Sequence, residues 1–112
     1  MIYGFGLPTR GPLAQPDAAK VVLEKAEELK FGYVSVADHI VIPKKIKAVY
    51  PYSDTGEPPF PADGECLEQL TFMSYIAAVT SKIRILSSVM VVPHRNPVHT
   101  AKIISTIDVL SN

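Results

Sequence analysis

The segment AEELKFGYVSVADHIVIP, Ala26 to Pro43, decides the reading of the fold. Its first part closes a helical pattern that opens at Asp17, in which Ala18, Val22, Ala26 and Leu29 recur at helical spacing while Lys20, Glu24, Glu27 and Glu28 turn elsewhere. Asp17 is the expected N-cap and Gly32 the expected stop. Tyr33 to Ala37 then forms an apolar run of strand length, and the chain turns irregular directly behind an acid and a base, Asp38 and His39. Helix, glycine, short apolar strand and a polar mouth make the joint between two βα units.

The same alternation extends outward in both directions. Ile2 to Leu7 and Ile83 to Val92 read as further strands; both are nearly continuous in apolar character, which predicts strands covered on both faces. A second helix is expected over Gly64 to Thr80, capped by Asp63, with Leu67, Leu70, Ser74 and Ala77 on its buried stripe. A third is expected over Asn96 to Ser111, where Asn96 serves as N-cap and Pro97 takes the first helical position. Val98, Ala101, Ile104 and Ile107 are its expected buried face. The order strand, helix, strand, helix, strand, helix implies an α/β fold with parallel strands and right-handed crossovers. The chain stops at Ser111-Asn112, where a further strand is due, so residues 1–112 are expected to be an incomplete unit with unpaired sheet edges.

Composition narrows the function classes. Eleven basic residues balance eleven acidic ones without any block of like charge, which argues against nucleic acid or an anionic membrane as partner. One cysteine, Cys66, excludes an internal disulfide framework, and no Cys/His cluster has metal-ligand spacing. No apolar run approaches membrane-spanning length and no signal segment opens the chain, so a cytoplasmic protein is expected.

Chemistry in parallel βα folds gathers at the C-terminal ends of the strands. Asp38 and His39 occupy that end of the second strand; an imidazole there can give or take a proton near neutral pH. The pair could equally satisfy backbone donors in the loop. Ser87 and Ser88 interrupt the third apolar run near its end, compatible with a close ligand approach or with ordinary backbone hydrogen bonding. Arg95 is compatible with an anion contact near the third helix start or with a solvated loop arginine. His94 and His99 read as loop and helix-surface residues, and Cys66 as a buried, inert thiol. The connection from Ile40 to Asp63 holds five prolines and three aromatic residues, a composition suited to a lid over a flat apolar ligand. Gly4, Gly6 and Gly11 do not form a phosphate loop, because no glycine-rich turn opens a helix and the Walker lysine is absent.

Taken together, FGLPTRGPLA, AEELKFGYVSVADHIVIP, YPYSDTGE and the run from Cys66 through SSVMVVPHRNPV to IDVLSN resemble the opening third of the bacterial luciferase-like monooxygenase family. The nearest branch is that of oxidoreductases using the deazaflavin coenzyme F420. The resemblance implies a TIM (β/α)8 barrel of which this chain supplies the first three βα units. It implies a flavin or deazaflavin at the C-terminal mouth, with F420 as cofactor and FMN as the alternative. His39 would then be the proton-transfer residue and a cofactor contact, and Asp38 would bind or orient the cofactor. A non-proline cis peptide is implied at Ser88-Val89, forming a backrest for the ring. The implied activity of the full-length parent is hydride transfer between F420 and a small organic substrate. The alternatives are FMN-dependent monooxygenation, or a non-catalytic half-barrel serving as an assembly module. A homo-oligomer is expected in either case.

Overall fold

The computed structural model describes residues 1–58 and 64–111. Along them run β1 (Gly4–Leu7), α1 (Pro16–Glu28), β2 (Tyr33–Val36), α2 (Gln69–Val79), β3 (Arg84–Ser87) and α3 (Pro97–Ser111), with short 3-10 turns at Pro12–Ala14 and Val92–His94. The three strands form one parallel sheet in the order β1-β2-β3. Gly4 pairs with Tyr33 and Leu7 with Val36 on one side, and Tyr33 with Arg84 and Val36 with Ser87 on the other. The expected α/β class with parallel strands is therefore observed.

One face of this sheet carries the core. Leu7, Val34, Val36 and Ile83 pack with Ala19, Leu23 and Ala26 of α1 and with Phe72 and Ile76 of α2, while Phe5 and Ile85 border the cluster. Because both helices lie on the same face, strands that follow one another in sequence also follow one another in space. A doubly wound sheet, by contrast, carries helices on both sides. The expectation of strands covered on both faces is corrected here: Gly6 and Tyr33 are exposed and Leu86 is 49% exposed on the opposite side.

Helix boundaries differ from the sequence expectation for identifiable reasons. α1 begins one residue before Asp17, because Pro16 takes the first helical position behind Gln15 and needs no amide partner there. It ends at a turn in which Phe31 N–H donates to Ala26 O and Lys30 adopts a left-handed φ of 61°, so Lys30 rather than Gly32 closes it. Gly32 serves a different purpose: a Cβ there would collide with Ile2 Cγ2. The buried stripe of α1 is Ala19, Leu23 and Ala26, and Leu29 is 63% exposed.

α2 starts at Gln69, five positions later than Gly64, because Leu67 N–H is engaged by Thr9 O of the loop after β1 and Glu68 acts as the cap. The expected cap Asp63 lies outside the described residues, as do positions 59–62 of the expected lid and Asn112. The core face of α2 is Gln69, Leu70, Phe72 and Ile76; Ser74 is exposed, and with Ala77 it lines a cleft of about 440 Å³ against α3. Asn96 caps α3 as expected, accepting from Val98 N–H and His99 N–H at 3.0 and 3.1 Å. The phase of α3 does not match: Thr100 is buried, while Val98, Ala101 and Ile104 are exposed. With apolar side chains on most sides of this helix, periodicity selects no single face.

A latch closes the opposite rim of the sheet. One oxygen of Glu27, at the end of α1, accepts from the backbone N–H groups of Ser81, Lys82 and Ile83 at 2.8, 2.6 and 3.0 Å. Burial pushes this carboxyl up, but the three donors outweigh it and hold the group below its ordinary range. The joint fixes where β3 enters the sheet.

Candidate functional site

Parallel pairing of Val36 with Ser87 puts the exits of β2 and β3 side by side. Two residues beyond Val36 comes Asp38, and one and two beyond Ser87 come Ser88 and Val89. Ser88 N–H donates to Val36 O at 2.9 Å, extending the ladder by one rung past the strands. The peptide between Ser88 and Val89 is cis, as the resemblance implied. Val89 is 70% exposed, and Ser88 and His39 are exposed on the same rim.

Asp38 faces the opposite way. Its side chain is 1% exposed, and both oxygens are occupied: Arg95 Nη1 and Nη2 donate at 2.5 and 2.9 Å, and Val91 N–H donates to Oδ2 at 2.8 Å. Burial pushes the carboxyl up, and the hydrogen bonds from Arg95 and Val91 more than offset this, so it is held below its ordinary range. Arg95 is held in turn by Glu68, whose Oε1 accepts from Nη2 at 2.7 Å. Its guanidinium is pushed above its ordinary value, first by Asp38 and then, against the opposing effect of burial, by Glu68. With an 8% exposed side chain clamped between two carboxylates, Arg95 is not a solvated loop arginine; the anions it meets are the chain's own Asp38 and Glu68.

Glu68 and Gln69 are the residues sequence reasoning missed. Glu68 caps α2 by accepting from Thr71 N–H and Thr71 Oγ1 at 2.8 and 2.9 Å, and its carboxyl too is held low: burial pushes it up, and these donors together with Arg95 outweigh that. Gln69 is fully buried; its Nε2 donates to Val36 O and to Val89 O, both at 2.8 Å. Its Oε1 has no partner among the described residues. A polar residue on an otherwise apolar helix face was the available signal, and it points to backbone carbonyls that a strand end cannot satisfy alone.

Cys66 is half-buried, with Sγ 3.5 Å from Arg10 Nη2, 3.7 Å from Thr9 Oγ1 and 3.9 Å from His39 O. It ties the loop after β1 to the backbone of His39. His94 and His99 lie on the surface, as expected. Among the described residues there is no group of three or more His, Cys, Asp or Glu side chains able to hold a metal, and no helix is long and apolar enough to cross a membrane.

The model of the family described as luciferase-like monooxygenase matches residues 3–112. The chain belongs to the luciferase-like monooxygenase family. No curated protein matches it. Members of this family are flavin-dependent oxidoreductases and monooxygenases. At the exits of β2 and β3, His39, Ser88 and Val89 are all exposed residues. Behind them, Asp38, Arg95, Glu68 and Gln69 form a polar layer whose charges are paired.

Proposed function

We propose that this chain supplies the cofactor-facing rim of a deazaflavin oxidoreductase, which transfers hydride between coenzyme F420 and a small organic substrate. The observation that carries the reading is the register that brings His39 and the Ser88-Val89 peptide to one edge of the sheet, with the side chains of all three exposed. The donor set suits a flat ring with an apolar face and a polar border. Val89 offers apolar surface, the Ser88 hydroxyl and the His39 imidazole offer hydrogen bonds, and the nearest carboxylate, Asp38, is neutralised by Arg95. When bound, the ring supplies the hydride chemistry. The chain's own residues bind and orient it and manage a proton: His39 gives or takes that proton at an imidazole nitrogen, and Asp38 orients the segment that carries His39. Ser88 and Val89 are contacts to the ring, and Asp38 contributes through position.

The likeness of ADHIVIP and SSVMVVPHRNPV to the F420 branch supports the deazaflavin. The family description as monooxygenases supports a second reading, in which reduced FMN at the same rim activates oxygen. We place the rim in a TIM barrel of which these three βα units are the first, and we regard the 40–58 segment as part of a lid. Exposed Val98, Val109 and Leu110 on α3 support a homo-oligomer.

Anaerobic spectrophotometry with F420 and an oxygen-electrode assay with reduced FMN separate the two readings. Hydride exchange with F420 in the parent enzyme, reduced at least about a hundred-fold by His39→Ala, supports the first; oxygen uptake with reduced FMN, and no turnover with F420, supports the second. Undiminished turnover in the His39→Ala enzyme removes His39 from the reaction.

A further inference from the structure

Arg95 joins three segments that are remote in sequence. It sits in the loop after β3, and its guanidinium holds Asp38 at the exit of β2 and Glu68 at the start of α2. Asp38 and Glu68 stand at the two ends of the long connection between β2 and α2, so a single side chain fastens both ends of that connection to the neighbouring rim. Each carboxylate also accepts a backbone N–H, Asp38 from Val91 in the loop after β3 and Glu68 from Thr71 in the first turn of its own helix. The assembly is a relay of charge-assisted hydrogen bonds running from Val91 through Asp38, Arg95 and Glu68 to Thr71. A fork is needed at its centre, because Nη2 serves both carboxylates while Nη1 completes the pair with Asp38.

We propose that Arg95 is a positioning residue: it locks the exit of β2, the exit of β3 and the first turn of α2 into one unit, and thereby sets His39, Ser88 and Val89 for ligand binding without touching the ligand itself. The ligand half of this proposal rests on the reading of the rim as a flavin-type site; the locking half does not.

Backbone amide exchange in the ligand-free full chain tests the lock. In Arg95→Met, the Val91 and Thr71 amides are expected to exchange at least about ten-fold faster, as follows from loosening hydrogen bonds to charged groups, while amides of α1 such as Ala19 stay within about two-fold of wild type. Arg95→Lys keeps the charge and loses the fork, so it falls between the two and provides the comparison if the Met variant does not fold. Unchanged exchange at either Val91 or Thr71 in Arg95→Lys and Arg95→Met overturns the proposal. Fluorescence titration with F420 and with FMN tests the rest: affinity at least about five-fold weaker in Arg95→Lys, with the unfolding midpoint close to wild type, is the expected result. Equal affinity in the two proteins overturns the positioning role. If wild type binds neither cofactor, the flavin reading falls and the ligand half of the proposal falls with it, while the exchange result separately decides the lock.

Discussion

Gln69 offers the sharpest test of how the rim is held, because two substitutions of similar size should behave very differently. Gln69→Leu removes the two hydrogen bonds that Nε2 donates to Val36 O and Val89 O. A neutral hydrogen bond contributes about 1 kcal/mol net, so the loss is about 2 kcal/mol. Two features reduce it. Val36 O keeps the Ser88 N–H, and the substitution also removes Oε1, a buried acceptor without a partner among the described residues, which recovers about 1 kcal/mol. The net cost of Gln69→Leu is therefore about 1 kcal/mol. Gln69→Glu keeps the shape but aims carboxylate oxygens at two carbonyl oxygens inside a fully buried site, where among the described residues no donor reaches Oε1. An unpaired buried charge costs about 3 kcal/mol or more, and protonation relieves it, so this variant should gain stability relative to wild type as pH falls. Urea unfolding followed by circular dichroism reads both. With a slope of about 1–3 kcal/mol per molar, the midpoint of Gln69→Leu should drop by less than about 1 M and that of Gln69→Glu by more, at neutral pH. Equal midpoints for the two variants, or a Leu variant that loses about 3 kcal/mol, would refute this account of the site.

Other perturbations separate structural from functional residues. Glu27→Gln should lower stability at neutral pH by about 1 kcal/mol, since solvent screens part of the interaction; because the folded carboxyl titrates below its ordinary value, the gap to wild type should be full above about pH 4.3 and close as pH falls through the lower folded value. A gap that widens in acid contradicts the latch. Asp38→Asn leaves the buried Arg95 without its bidentate partner and should cost about 3 kcal/mol in the same urea experiment; a cost under about 1 kcal/mol would mean that the Asp38–Arg95 pair does not brace the rim. His39→Ala, at an exposed position, should change stability by less than about 0.5 kcal/mol while lowering turnover in the proposed reaction at least about a hundred-fold. Sedimentation velocity should show a species larger than the 12.2 kDa monomer; a monomer at all concentrations ends the homo-oligomer proposal.

Much of the architecture was legible because strands and helices alternate with clear punctuation. Tyr33 to Val36 is short, β-branched and preceded by a helix, and Asn96-Pro97 marks a helix start that the structure reproduces. Helix faces were harder to read. In α2 and α3 apolar residues occupy most positions, and only tertiary contact decides that Phe72 and Ile76 face the sheet while Ser74 and Ala77 face α3. His39 and Ser88 at the rim, and Asp38 directly behind it, were visible, since polar groups at strand ends stand out from apolar runs. The rest of the supporting layer was not. Arg95 and Glu68 are 27 residues apart in sequence, Arg95 and Asp38 are 57 apart, and ordinary surface composition gives no sign that such charges meet in a buried clamp. Cap identity followed the same rule: Glu68 caps α2 because Arg95 and Thr71 gather around it, a circumstance that no local pattern records.

The central claim is that the exits of β2 and β3 form a binding rim for a flavin-type ring. Titration of the purified chain with F420, and separately with FMN, followed by cofactor fluorescence, tests it most directly. Saturable quenching by F420, abolished by the His39→Ala and Val89→Asp substitutions together, is the predicted result. Fluorescence that stays linear in cofactor for both compounds, in a chain whose circular dichroism is that of a folded α/β protein, would contradict the claim.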